Sequence, residues 1–436
     1  MRLLDRTFAL TEHGTTVQRE LLAGIVTFLS MAYIIVVNPA ILEAAGLPRD
    51  ASITATILSA AFGTLLMGVY ARRPFAIAPY MGENAFIAYT VVQGLGYTWQ
   101  AALGAIFLAG VLFTVLTLLR VRGWLAAAIP TSLKHSFAVG IGLFLTFIGL
   151  NQTGLVTLGV PGAPVALGNL AQPSAWLAIV GLLGTLVLLV RRVSGALLLG
   201  MLGTAALSFA VGVTPWPTAL VSAPPSLAPI VGQLDISAAL QPAAWPVVVI
   251  VFVMAFVDTI GTLLGLSARA GFLDAQGNLP DIERPMLADA LANLAAPVFG
   301  TTTSGAYVES AAGIESGGRT GLTAVVVALL FVAALFVAPL LTAIPPHAYG
   351  IVLIAIGLLM LSPVRQLPTD DLTELVPAFL TITLVSFTFN IGVGLTAGLL
   401  VYPVLKVLSG RAAETSAGQW VLAALALSFY VVYPYH

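Results

Sequence analysis

Residues 288–322 read ADALANLAAPVFGTTTSGAYVESAAGIESGGRTGL, and no continuous helix can run through them. The piece APVFGTTTSG, from Ala296 to Gly305, sets three β-favouring threonines, Thr301 to Thr303, between the permissive glycines Gly300 and Gly305. Helical sequence resumes around an acid, Glu309. A second stretch repeats the arrangement, because FAIAP, from Phe75 to Pro79, runs straight into YMGENAF from Tyr80. Pro79 lacks a backbone donor and disfavours helix at Ala78. Each stretch therefore predicts a short extended piece followed by a helix with a glutamate at its start. Aligned on those acids, Glu83-Asn84-Ala85 echoes Glu309-Ser310-Ala311.

Around these breaks the chain is apolar. Of 436 residues, 59% are hydrophobic and 8% charged, whereas soluble domains carry about 25% charged residues. Apolar runs of about 20 residues, enough to cross a ~30 Å hydrocarbon core, recur from end to end. Such a chain is expected to be an all-α membrane protein, and a soluble enzyme, a nucleic-acid binder and a disordered chain are excluded. A net charge of -1 points to no basic or acidic partner, and the absence of cysteine excludes disulfides and thiolate chemistry. The polar opening MRLLDRTFALTEHGTTVQRE has no cleavable leader pattern, so the first apolar run is expected to stay in the mature chain.

Splitting at polar, Gly and Pro interruptions predicts spans near 21–42, 51–69, 75–93, 99–120, 135–150, 174–191 and 195–212, then 245–266, 285–299, 302–315, 321–343, 349–363, 375–389 and 392–408. A last apolar segment, Trp420 to Tyr433, is short for a span. With a cytoplasmic N-terminus, Arg2, Arg6, Arg19, Arg72, Arg73, Arg120, Arg122, Lys134, Arg191, Arg192, Arg269, Arg284, Arg319, Arg365, Lys406 and Arg411 all fall inside, as does the end of span fourteen; only Arg49 falls outside. Seven spans per half require an inverted relation between the halves, an architecture of secondary transporters. The expected organisation is a first repeat over 1–212, a Pro-rich connector over 213–244, a second repeat over 245–408 and a tail over 409–436.

Irregular backbone at membrane depth survives only where protein or water covers it. The two breaks thus predict helix ends that turn free N–H groups and positive dipole ends toward a central ligand. Intramembrane acids default to function, and the sequence places four in spans: Glu83, Asp258 in VMAFVDTIGTLLG, Glu309, and Glu315, which is expected to be solvated or paired with Arg319. His13, His135, His347 and His436 have no metal-ligand spacing, and phosphate-loop and nucleophile-elbow motifs are lacking. No metal, cofactor or enzymatic activity is expected. Gly394 and Gly398 read as a helix-packing motif.

These motifs resemble the AzgA-like purine permeases, the hypoxanthine/adenine/guanine branch of the nucleobase:cation symporters. The resemblance rests on RELLAGIVTFLSMAYIIVVNPAIL from Arg19, MGENAF from Met81, SLKHSFAVGIGLFLTFIGL from Ser132, VDTIGTL from Val257, the stretch 288–322 and DLTELVPAFLTI from Asp371. It spans essentially the whole chain. It implies fourteen helices in two inverted repeats, a core domain (spans one to four and eight to eleven) moving against a gate domain (five to seven and twelve to fourteen), and a homodimer. It also implies a nucleobase held between the broken third and tenth helices by Asp258, Glu309 and Asn84. Three positions depart from the family's usual GMGLNA pattern and its span-eight acid pair: Tyr80 and Glu83 stand for Gly and Leu, and Ala255 replaces an acid.

The function expected from this reading is proton-coupled uptake of a purine base across the bacterial inner membrane by alternating access. Glu309, Asp258 and Glu83 are the candidate substrate-binding and proton-linked acids. Asn84 and Ser310 would give polar support, Tyr307 or Phe86 would pack on the ring, and Thr27 and Ser30 would face the cavity. The alternatives are a transporter of the same fold for another nucleobase or a small anion, and an ion channel with an acid-lined pore.

Overall fold

A computed structural model describes residues 5, 7–119, 128–160, 163–217, 219–274 and 279–432. Arg2, Arg6, Arg120, Arg122 and Tyr433, which entered the topology reading, lie outside the described residues. Each expected span contains helix among the described residues, and two of them, 75–93 and 302–315, also contain a short strand. Among the described residues, nine helices are long and apolar enough to cross a membrane, and three apolar helices are shorter. The first span is split into Val17–Met31 and Ile34–Glu43, with Thr16 capping the first half by accepting from the Arg19 N–H. The last apolar segment is a helix, Ala417–Val432.

Both breaks are real, and they meet. Ile77–Pro79 pairs antiparallel with Ser304–Ala306, in the register Ile77 to Ala306, Ala78 to Gly305 and Pro79 to Ser304. The ladder extends at both ends, where Tyr80 N–H donates to Thr303 O (3.0 Å) and Tyr307 N–H to Ala76 O (2.9 Å). Pro79 fits here because a two-stranded ladder asks no donor of it. Short helices Met81–Ala85 and Ser310–Glu315 follow the strands, and the first widens into π-helical winding over Phe86–Gly94. A local two-fold through Ala78 and Gly305 carries Tyr80 onto Tyr307, Gly82 onto Glu309 and Glu83 onto Ser310. The sequence echo that aligned Glu83 with Glu309 is therefore one residue out of register.

Flanking helices hold the strands. Thr64 Oγ1, in helix Arg49–Val69, bonds both the N–H and the carbonyl of Ile77 (2.8 and 2.9 Å). From helix Glu283–Phe299, Asp289 Oδ1 accepts from Ala306 N–H (2.7 Å) and Asn293 Oδ1 from Ser304 N–H (3.2 Å). Gly68 and Gly321 let helices Arg49–Val69 and Gly321–Ala334 touch: a Cβ on Gly321 would lie 1.9 Å from Gly68 O. Gly394 and Gly398 press against Val385 and Thr381 of helix Leu372–Phe387, as a packing motif should. One element was not foreseen: strands Val156–Val160 and Ala163–Leu167 form an exposed hairpin after the fifth span.

Candidate functional site

A cavity of about 760 Å³ opens beside the two broken ends, within the ~300–1,000 Å³ range of small-molecule sites. One wall comes from Ser30 and Tyr33 of the first span, Tyr80 to Gly82, Asp258 and Thr262 of helix Trp245–Ala270, and Ala306 to Glu309. Further lining comes from Ile141, Leu189, the segment 192–197, and Ile356, Leu359 and Met360. Arg192, Arg269, Glu315 and Ser316 line it too.

The structure brings Asp258, Glu309, Tyr307 and Ser30 to this cavity. Glu309 ends the strand-to-helix turn and accepts a hydrogen bond from Tyr33 Oη. Ser30 Oγ returns its proton to Val26 O (2.9 Å). The rings of Tyr80 and Tyr307 lie parallel, centroids 6.5 Å apart and planes 13° off, and Tyr307 Oη donates to Pro79 O (2.9 Å). Tyr80 fits only because Gly305 has no side chain, since a Cβ there would lie 2.1 Å from Tyr80 Oη.

The other predicted residues lie behind this wall. Glu83 is fully buried, and its carboxyl lies beside that of Asp258, the charge it feels most. Asn84 donates from Nδ2 to Asn38 Oδ1 (2.7 Å), and Asn38 donates to Thr56 Oγ1 (2.7 Å) and Thr301 Oγ1 (2.9 Å). Ser310 Oγ accepts from Ala76 N–H (2.9 Å), Thr27 packs where a Cβ on Gly313 would sit, and Phe86 packs against Gly392. Glu315 is exposed as expected, but it pairs with Arg269 (2.5 Å) rather than Arg319, which donates to Ile314 O and Gly318 O.

Sequence reading passed over several polar groups. Asp289 is fully buried and accepts a second hydrogen bond from Thr259 Oγ1, which neighbours Tyr80 Oη at 3.3 Å. Its signal was an acid inside a predicted span. Glu20, also buried, accepts from the Arg319, Thr320 and Thr323 N–H groups and from both threonine hydroxyls, tying the first span to helix Gly321–Ala334. Tyr33 and Asn38 sat unremarked in an apolar run.

A model of the permease family matches residues 18–400. The chain is 39% identical over 423 residues to the adenine permease AdeP of Escherichia coli, covering 97% of this chain and 95% of the relative. It is 40% identical over 411 residues to the guanine/hypoxanthine permease PbuO of Bacillus subtilis, covering 93% and 95%. Among solved structures, the transmembrane domain of a cyanobacterial bicarbonate transporter, BicA, superposes with a TM-score of 0.64 at 16% identity, covering 88% of this chain and 97% of that one. At that identity the likeness is one of fold.

Proposed function

The chain belongs to the permease family, and from that premise we propose that it imports a purine nucleobase, among hypoxanthine, adenine, guanine and xanthine, by proton symport with alternating access. The observation that carries this reading is the pairing of Asp258 and Glu309 with two parallel tyrosine rings around one cavity. A planar base offers its faces to aromatic side chains and its edge N–H groups to carboxylates. The adenine and guanine/hypoxanthine permeases among the relatives support a purine as the cargo.

Asp258 and Glu309 are the substrate-binding acids in this account. Glu83, fully buried behind the cavity and beside Asp258, is the proton carrier in this account, since it can exchange a proton with a cavity acid without itself meeting the substrate. Asn84, Ser310 and Thr27 support the broken helices, Phe86 backs the third span, and Ser30 and Tyr307 meet the substrate. With the N-terminus in the cytoplasm of a bacterial inner-membrane protein, the basic residues Arg192 and Arg269 along the cavity support a mouth on the cytoplasmic side. The cavity then lies open inward between a core domain that carries the broken helices and a gate domain that carries Ile141 and Ile356, and two copies pair as a homodimer through their gate domains.

The fold also serves a bicarbonate transporter, so a small anion is the second reading; the two cavity carboxylates oppose it by repulsion. Uptake of labelled purines and uracil by a permease-deficient host, with and without a protonophore, tests the proposal. Uptake of purines that the protonophore abolishes supports it. Competition by bicarbonate or sulfate but not by bases overturns it.

A further inference from the structure

The carboxylates of the cavity donate or accept according to whether they hold a proton, so they cannot by themselves fix which edge of a base is read. One cavity group has its role set by a carboxylate buried behind it. Asp289 uses both oxygens as acceptors, Oδ1 from the Ala306 N–H at 2.7 Å and Oδ2 from the hydroxyl of Thr259. Thr259 has a single proton, and it is committed to Asp289. While Asp289 is ionised, the remaining capacity of Thr259 at Oγ1 is as an acceptor, and the contact at 3.3 Å with Tyr80 Oη then runs from tyrosine to threonine. With Asp289 in that state, the chain Tyr80 to Thr259 to Asp289 has one direction. The Tyr80 proton is spent on it, and what its oxygen can still offer is a lone pair.

Tyr80 lines the cavity together with Asp258, Glu309 and Tyr307. Its position is held from three sides: by the Thr259 contact, by the parallel Tyr307 ring, and by Gly305, over which its hydroxyl sits where a Cβ would be 2.1 Å away. Thr259 and Asp289 are both fully buried, so no water competes for the orientation of the chain.

We propose that Tyr80, oriented by Thr259 and Asp289, is the specificity-determining residue of the cavity, accepting a hydrogen bond from an exocyclic amino group and so selecting amino-bearing purines over their oxo counterparts. The inference rests on the reading of the cavity as a purine site and narrows it. An oxo group facing the Tyr80 oxygen sets two acceptors against each other and leaves both unpaired after desolvation, which costs far more than a missing contact. Thr259 and Asp289 act through Tyr80 and are positioning residues.

The test is inhibition of labelled purine uptake by two matched pairs, adenine against hypoxanthine and guanine against xanthine, with the amount of protein in the membrane measured for each variant. In the wild type at least one pair favours its amino member by about tenfold or more. Tyr80→Phe brings that ratio close to one. Thr259→Val frees the Tyr80 proton to be donated and lowers or reverses the ratio, while Thr259→Ser, which keeps the hydroxyl, retains it. A general structural defect moves both members of a pair together and leaves the ratio alone, so a ratio unchanged in Tyr80→Phe overturns the assignment, as does a wild type that favours the oxo member of both pairs. If a variant does not reach the membrane, ligand-induced shifts in the melting of the purified wild type with the four bases read the same preference. Uptake of no purine at all sinks the purine reading itself; purine uptake with no amino preference sinks only the role of Tyr80.

Discussion

Tyr80 and Tyr307 are two-fold mates: each follows directly on one strand of the ladder between the broken helices, each donates its N–H across that ladder, and their rings lie parallel at 6.5 Å. This relation sets the register of the site. It puts Gly82 and Glu309 at the cavity and turns Glu83 and Ser310 inward behind it. One glycine makes it possible, because Gly305 leaves the space that the Tyr80 ring fills.

Gly305→Ala should therefore displace Tyr80 while leaving the helices intact. Overpacking at such a position costs about 1–3 kcal/mol. Purine uptake should fall by at least tenfold, by the same logic of lost edge recognition, with a melting temperature lowered but a single unfolding transition retained. Uptake at the wild-type level would show that the ring is not held against Gly305.

The two glutamates should separate by phenotype. Glu309→Gln, at the cavity, should weaken purine binding by about tenfold or more, as expected when a charged hydrogen-bond partner is lost. Glu83→Gln, out of the cavity, should leave binding within a few-fold and abolish accumulation against a gradient. Equilibrium binding to purified protein and concentrative uptake read the two effects apart, and equal loss of binding in both variants would contradict the division of roles.

Part of this site was legible in the residues. Pro79 and the threonines 301–303 announced extended backbone: the first strand falls inside the expected piece, while in the second, expected over 296–305, residues 296–299 complete the preceding helix and the strand comes only at Ser304–Ala306. Asp258 and Glu309 announced themselves as acids in apolar runs. Register was not legible, since ENA and ESA match as letters while the ladder, set by backbone pairing between segments over 200 residues apart, aligns Tyr80 with Tyr307. Asp289 was hidden by its neighbours: in LADALANL its spacing looks like an ordinary polar stripe on a helix, and only the fold shows both oxygens capping strand and threonine. Asn38 was hidden in the same way, next to a proline in an apolar helix.

Asn38 holds Asn84 with one oxygen and two threonines with its amide. Asn38→Ala should strand these buried groups and cost about 2–4 kcal/mol, on the order of 1–3 for each unsatisfied group with partial relief. Thermal unfolding in detergent measures it; a change under 0.5 kcal/mol, typical of surface substitutions, would mean that the network does not hold the third span to the first.

A second polar cluster ties the ends of helices Leu372–Phe387 and Ile391–Leu408. Lys406, buried, contacts Glu374 (2.8 Å) and Glu414 (2.9 Å), and Arg411 contacts Asp371 (2.7 Å) and Glu414 (2.6 Å). The Thr373 hydroxyl and then the Arg411 guanidinium hold the Asp371 carboxyl well below its ordinary value, and Arg411 and Lys406 lower that of Glu414. Carboxyls lowered by folding stabilise fully above their unfolded value, about 4, and lose that stabilisation as pH falls through the folded one. The melting temperature should hold from pH 8 to 5 and drop below pH 4, with a shallower drop in Asp371→Asn. An equally steep drop in that variant would remove Asp371 from the cause.

The most direct measurement is accumulation of labelled purines by proteoliposomes holding the purified protein, with an imposed proton gradient. The account predicts concentrative uptake that follows the gradient, collapses with a protonophore, and is lost in Asp258→Asn and Glu309→Gln. Purine uptake indifferent to the gradient, or undiminished in both variants, would contradict it.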